Sequence, residues 1–110
     1  MLNQEVIVAL KILAQTRTDE DYLGRQDALF QRLPCEFVEL VDVAYDHENS
    51  SIRIEALELI AMAANDNSRT VLSDSAKADP DPLVQKHAEA LLFRAIVNEN
   101  LLKHFAIVKD

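Results

Sequence analysis

The run DPDPLVQKHAEALLFRAI, residues 79–96, decides the fold of this chain. It opens on a double Asp-Pro corner, where Asp81 can cap a helix and Pro82 can take the first helical position. Proline suits that position because it lacks the N–H that a first helical turn leaves unpaired. Apolar residues then follow at helical spacing: Val84, Ala88, Leu91, Ala95 and Ile96. The stretch predicts an amphipathic helix with a fixed start.

A similar pattern precedes this stretch at an offset of 32 residues. Six identical pairs coincide at that offset: Leu40 with Leu72, Asp42 with Asp74, Ala44 with Ala76, Ala56 with Ala88, Leu59 with Leu91, and Ala63 with Ala95. The polar corner at residues 47–51 falls on the Asp-Pro corner without a gap. A period in the thirties is typical of helix pairs that bury their apolar faces only by stacking on a neighbour. We therefore expect a short α-solenoid.

The corner and the helix after it resemble the HEAT-like repeat of the phycobilin-lyase type, in which an acid, a proline, a valine and a basic residue precede an alanine. Gln85 stands where the basic residue is usual. In the preceding copy Ile52 and Arg53 supply the apolar-basic pair, but serines replace the proline. The resemblance covers roughly residues 37–97. The alternative is an ordinary helical bundle with a chance Asp-Pro corner.

The whole chain is expected to form one all-α domain of about three HEAT-like helix pairs, or six to seven helices. Residues 1–33 match the repeat poorly and are assigned to a divergent N-terminal capping pair, whose second helix opens at Thr18. Residues 34–64 and 65–97 form the two repeat units, and 98–110 a C-terminal capping helix. The fourth helix, from about residue 52 to 64, is apolar almost all round and is expected at the centre of the core.

Composition favours a soluble helical protein and narrows the classes of molecule that it is expected to bind. The 110 residues are 49% apolar and include one glycine, which disfavours hairpins. A formal net charge of -8 disfavours direct binding to nucleic acid or to anionic membranes, which both require basic residues. The apolar run at residues 6–13 is interrupted by Lys11 and is too short for a membrane span. With a lone cysteine, Cys35, and no convincing signal peptide, we expect the cytoplasm.

Two rows of carboxylates are the candidate partner-binding residues. Helical spacing places one row along a face of the third helix and a pair on the fourth: Glu36, Glu39, Asp42 and Asp46, then Glu55 and Glu58. Like charges at this spacing repel, so an acidic strip retained at that cost would fit a basic protein surface. The alternative is a solvated face with no partner.

Catalytic, metal and cofactor sites are not expected. The carboxylates lack the Glu-x-x-His spacing of helix-borne metal sites, and the chain lacks the glycines of a phosphate loop. Cys35 starts a helix, but Glu36 and Glu39 beside it oppose thiolate formation. His87 lies on the apolar stripe, where a hydrogen-bonded packing role is more common than catalysis. We therefore expect no enzyme activity and no cofactor.

The leading functional hypothesis is a non-catalytic module that binds, and in one version inhibits, a basic protein partner, for example as the immunity protein of a toxin. The second is a regulatory or chaperone subunit of a cofactor-handling enzyme, which predicts a pocket near His87 and His104. Family members that act on bilin chromophores are considerably longer, so the resemblance implies at most a subunit role in such chemistry. The identity of the partner and the oligomeric state are not encoded in any motif.

Overall fold

A computed structural model describes residues 4–32 and 37–108, and the side chains of residues 5–31 and 37–98. Within these ranges the chain forms six α-helices and no strand: α1 (Gln4–Gln15), α2 (Tyr22–Arg32), α3 (Phe37–Asp46), α4 (Ser50–Ala63), α5 (Asp66–Ala78) and α6 (Pro82–Val108). The predicted all-α class is confirmed, in a solenoid-like arrangement.

Polar corners start the helices of the second half, as the sequence predicted. The Asn49 side chain accepts hydrogen bonds from the Ser51 and Ile52 amides and so caps α4. A reciprocal capping box between Asn65 and Ser68 begins α5. These side chains satisfy amides that the first turn of a helix leaves unpaired.

Asp81 caps α6 through the Leu83 amide, which donates to Asp81 Oδ1 at 2.9 Å. Pro82 is the first residue of the helix. The Asp-Pro corner therefore forms as its sequence predicted, because the aspartate satisfies a first-turn amide and the proline needs no partner for its own nitrogen.

Two predicted helix boundaries differ from the structure. The second helix begins at Tyr22 rather than at Thr18, because residues 16–21 form successive turns in which the Asp19 amide donates to the Thr16 carbonyl. The sixth and seventh predicted helices are one helix, α6, which runs through residues 97–100. Those residues contain no glycine or proline to stop a helix. No described helix combines the length and the apolar character that crossing a membrane requires.

Helix α4 lies at the centre of the fold. It packs against α3, α5 and α6, and α1 contacts α4 more extensively than it contacts its neighbour α2. The four residues Ala56, Leu57, Leu59 and Ile60 are fully buried. The predicted central position of this helix is confirmed, whereas the first pair does not pack as a regular unit.

Residues that match at an offset of 32 occupy similar environments. Ala56 and Ala88 are both fully buried, and Leu40 and Leu72 on the preceding helices are buried as well. A small side chain on α4 and again on α6 allows close approach of the neighbouring helices. The two helix pairs α3–α4 and α5–α6 thus use equivalent positions for packing.

A buried ion pair joins α4 to the corner before α6. The guanidinium of Arg53 donates from Nε and Nη2 to the two carboxylate oxygens of Asp79, each at 3.0 Å. Its Nη1 donates to the His47 carbonyl at 2.7 Å, which ties the first corner to the second. Asp79 Oδ1 also accepts from the Asp81 amide at 2.8 Å. The two side chains are 7% and 4% exposed, so each charge depends on the other for neutralisation.

Arg53→Met should lower the free energy of unfolding by about 3 kcal/mol, because it leaves the Asp79 carboxylate buried without its cation. Urea denaturation at pH 7 measures this loss. Arg25→Met is the matched control, since Arg25 pairs with Asp19 at 3.3 Å on the surface and should contribute about 0.5 kcal/mol or less. Equal losses in the two variants would contradict a structural role for the buried pair.

Candidate functional site

The largest polar assembly of the described residues surrounds two glutamates of α4. We call it the glutamate cluster; its members are Arg17 of the α1–α2 connection, Tyr22 and Gln26 of α2, Glu55 and Glu58 of α4, and His87 of α6. Three separate parts of the chain converge on one carboxylate pair. Because Glu55 and Glu58 are three residues apart, helical geometry places both on one face of α4.

Glu55 is the most deeply buried charged residue of the cluster, at 1% exposure. Its Oε1 accepts from Arg17 Nη1 at 2.5 Å, and its Oε2 accepts from the Tyr22 hydroxyl. A buried carboxylate is stable only with such donors, since it has lost its hydration. The turn at residues 16–21 supplies one of them by directing Arg17 towards α4.

Glu58 has donors on both of its oxygens. Oε1 contacts Arg17 Nη2 at 2.5 Å and His87 Nε2 at 2.8 Å. Oε2 accepts from Gln26 Nε2 at 2.8 Å and contacts the Tyr22 hydroxyl at 2.9 Å. The guanidinium of Arg17 therefore bridges the two glutamates, and its centre lies 5.4 Å from the ring centroid of Tyr22.

These contacts set the protonation of the cluster. Burial opposes ionisation of Glu58, but hydrogen bonds from His87, Arg17 and Tyr22 outweigh it and lower the Glu58 pKa from 4.5 to about 2. Burial, and then the hydrogen bonds to Glu55 and Glu58, raise the Tyr22 pKa well above its usual range. The hydrogen bond to Glu58 is the main reason that the Arg17 pKa is raised. Near neutral pH, Glu58 is thus ionised and the Tyr22 hydroxyl keeps its proton.

The chemistry of the cluster is that of a satisfied internal network. A general acid needs a proton to give at its working pH, and Glu58 has already lost its proton there. Both oxygens of each glutamate already have a donor in the fold. Such an arrangement holds α2, α4 and α6 in fixed relative positions.

A groove of about 470 Å³ lies beside the cluster, between α2, α4 and α6. Its walls combine apolar and polar side chains: Leu23, Ala61, Met62, Ala64, Leu91 and Ala95, with Tyr22, Gln26, Glu58, Arg94 and Asn98. Leu23 is 72% exposed although it is apolar. This volume lies within the range of about 300–1,000 Å³ that is typical of ligand pockets.

The carboxylates of the predicted acidic strip do not form one continuous exposed surface in the structure. Asp42 and Asp46 are exposed on α3, and neither side chain has a hydrogen bond or ion pair to another described residue. Glu39 is half-buried, and its Oε2 lacks a hydrogen-bond partner within the described part of the chain. Glu36 lies outside the described residues. The third helix therefore presents part of the row that its sequence predicted.

Glu55 and Glu58 do not extend that strip. Glu55 is buried, and Glu58 is 14% exposed with its charge paired to Arg17 and His87. The reason is the position of α4, which packs against α1, α3, α5 and α6 and keeps only a narrow, partly exposed stripe instead of a solvated face for a row of charges. The expectation of an accessible pair on α4 is corrected accordingly.

The structure adds a carboxylate that the sequence reading did not place at this surface. The hydroxyl of Tyr45, on α3, donates to Asp74 Oδ2 of α5 at 2.7 Å. Burial and this hydrogen bond raise the Tyr45 pKa to about 12. We call the surface formed by Asp42, Tyr45, Asp46 and Asp74 the α3–α5 face. The match of Asp42 with Asp74 at an offset of 32 was the sequence signal for it.

The sequence singled out three further residues, His87, Cys35 and His104. His87 is hydrogen-bonded to Glu58 and is absent from the residues that line the groove. Cys35 and the side chain of His104 lie outside the described residues. Within the described ranges, no group of three or more His, Cys, Asp and Glu side chains is arranged to hold a metal ion.

Tyr22→Phe should lower the free energy of unfolding by about 2 kcal/mol, because the buried Glu55 and the partly buried Glu58 lose a shared hydrogen-bond donor. Tyr45→Phe removes the same atom from a surface hydrogen bond to Asp74 and should cost less than about 1 kcal/mol. Thermal and urea unfolding of both variants at pH 7 make the comparison. A larger loss in Tyr45→Phe would be inconsistent with the central role of the cluster.

Glu58 should make stability depend on pH in the acid range. Its folded pKa of about 2 lies below the unfolded value of 4.5, so its contribution is complete above about pH 5 and is lost as the pH falls towards 2. Since Glu58 is partly exposed, we expect on the order of 2 kcal/mol.

Glu58→Gln removes this titration and keeps the shape of the side chain. The stability difference between wild type and Glu58→Gln should shrink by on the order of 2 kcal/mol between pH 7 and pH 2.5. The other groups at the cluster, Arg17, Tyr22, Glu55 and His87, are common to both proteins. A difference that stays constant across this range would show that Glu58 does not carry the effect.

Comparison with known proteins gives no relative for this chain: no family model, no curated protein and no solved structure matches it. The HEAT-like resemblance therefore rests on the repeat and on the Asp-Pro corner. The function of the two surfaces and of the glutamate cluster is inferred from their own geometry.

Proposed function

We propose that this protein is a non-catalytic binding module that uses the α3–α5 face to hold a basic surface of a protein partner. The observation that carries the proposal is the exposure of Asp42 and Asp46 beside the Tyr45–Asp74 pair. In the most specific form of this proposal, the partner is an effector or toxin, and this protein inhibits it in the cytoplasm.

Charge distribution supports a basic partner. The face carries three exposed carboxylates, Asp42, Asp46 and Asp74, of which Asp74 holds the Tyr45 hydroxyl, while Lys77 adds one positive charge a turn beyond Asp74. Complementary charge accelerates association and disfavours wrong partners. The net charge of -8 extends this attraction beyond the immediate contact.

Tyr45 adds an aromatic ring to this face, which the carboxylates lack. Tyr45 is 41% exposed, so part of its ring is available to a partner while its hydroxyl is held by Asp74. Tyrosine is enriched among the residues that dominate binding energy, because its large ring loses little conformational freedom. The hydrogen bond to Asp74 reduces that loss further.

The glutamate cluster supports a scaffold rather than a catalyst. Its carboxylates are occupied by donors of the fold, and Glu58 is held in its ionised form. A rigid arrangement of helices presents a surface with little rearrangement on binding. The cluster has no member on α3 or α5, and these two helices are connected to α4 by Arg53, which binds Asp79 after α5 and the His47 carbonyl after α3.

The triple variant Asp42→Asn, Asp46→Asn, Asp74→Asn tests the proposal. Affinity capture from lysate of the native cell, followed by mass spectrometry, should show a protein retained by wild type and absent with the triple variant. Calorimetry with that purified protein should show at least about a tenfold weaker Kd for the triple variant. The wild-type Kd should also weaken with added salt.

The variant Asp19→Asn, Glu20→Gln, Asp21→Asn is the matched control, since it removes the same charge from exposed residues of the α1–α2 connection. It should retain the partner with a Kd within about twofold of wild type. If the α3–α5 variant retained the same proteins as wild type, that face would be a solvated surface and the proposal would be wrong.

A further inference from the structure

The groove between α2, α4 and α6 has apolar walls that no described element covers. Leu23 is 72% and Met62 38% exposed, and the buried Leu91 forms part of the lining. Exposed apolar side chains that share a concavity with a few polar groups are typical of a binding site. The polar groups decide what such a site can accept.

The carboxylate of the groove is already bound within the fold. Glu58 lines the groove, and Arg17 and His87 contact its carboxylate at 2.5 and 2.8 Å. Arg94 is the other charged residue of the lining, and it has no ion pair with a described residue. Arg94 therefore presents to the groove a guanidinium that no described carboxylate occupies.

Arg94 and Asn98 are four residues apart on α6, so their side chains leave neighbouring turns of one helix face. Both can donate hydrogen bonds, the guanidinium through its planar fork and the amide through its NH₂ group. Together they suit the two oxygens of a carboxylate, which Arg recognises with charge-assisted hydrogen bonds.

Gln26 supplies an acceptor of fixed orientation. It is 8% exposed, and its Nε2 donates to Glu58 Oε2 at 2.8 Å and contacts the Tyr22 hydroxyl at 3.4 Å. Those contacts define the rotation of the amide, while its Oε1 accepts no hydrogen bond from a described donor. The groove thus combines one acceptor, a pair of carboxylate donors and an apolar wall.

We propose that this groove binds the apolar C-terminal residue of another polypeptide. The terminal carboxylate contacts Arg94 and Asn98, and the peptide N–H of the same residue donates to Gln26 Oε1. Its aliphatic side chain packs against Leu23, Met62 and Leu91. Each of the three groups that define such a residue meets its chemical complement. This surface shares no residue with the α3–α5 face, so the two proposals stand independently.

The test is an NMR titration of the ¹⁵N-labelled full chain with acetyl-Ala-Ala-Ala-Leu that carries a free carboxylate. Peptide concentrations up to about 5 mM reach the millimolar affinities expected of so short a ligand. The amide signals of Leu23, Met62, Ala95 and Asn98 should shift. The same peptide with a C-terminal carboxamide should bind at least about tenfold more weakly, since it lacks the charge.

Arg94→Gln should weaken the free-acid peptide by at least about fivefold. Arg25→Gln is the control: Arg25 is exposed on α2, pairs with Asp19 and does not line the groove, so its loss should change the Kd by less than about twofold. Equal binding of the acid and the carboxamide, or shifts confined to residues outside the groove, would overturn the proposal. So would the absence of any shift at 5 mM.

Discussion

The structure depends on how α4 carries charge inside a helical core. This helix is enclosed by its neighbours, yet it bears Arg53, Glu55 and Glu58 on its central turns. Removing such groups from water is costly unless each finds an opposite charge and hydrogen bonds. The fold meets this requirement at two places, with Asp79 on one side and Arg17 on the other. The packing of the other helices brings these two partners, Asp79 and Arg17, to α4.

The two networks give α4 a connecting role that apolar packing alone would not give. Hydrophobic contacts tolerate small shifts, whereas a two-pronged guanidinium–carboxylate pair fixes both distance and angle. Arg53 sets the position of the α5–α6 corner, and the glutamate cluster sets α2 and α6 relative to α4. Both candidate surfaces lie on helices held in this way. Their geometry is therefore set from within the core.

The features that depend on neighbouring residues were predictable from the sequence. The Asp-Pro corner, the asparagine corners and the helices that they start follow from capping and periodicity, which are local. The features that depend on distant contacts were not. Residues 16–21 hold a capping signal, but the turn that forms there carries Arg17 to α4. The burial of Glu55 was accessible in principle: a helix apolar almost all round leaves no solvated face, so any charge on it needs an internal partner.

The packing of α1 on α4 has a consequence for how the chain folds. Repeat arrays fold by adding one unit to the next, since each unit touches only its neighbours. Here residues near the start of the chain reach past α2 and α3 to the central helix, with Leu10 and Leu57 both fully buried in one core. Contacts between such distant segments close a large loop and raise the contact order. The protein is therefore expected to fold more slowly than its helical content suggests, and in one cooperative step rather than repeat by repeat.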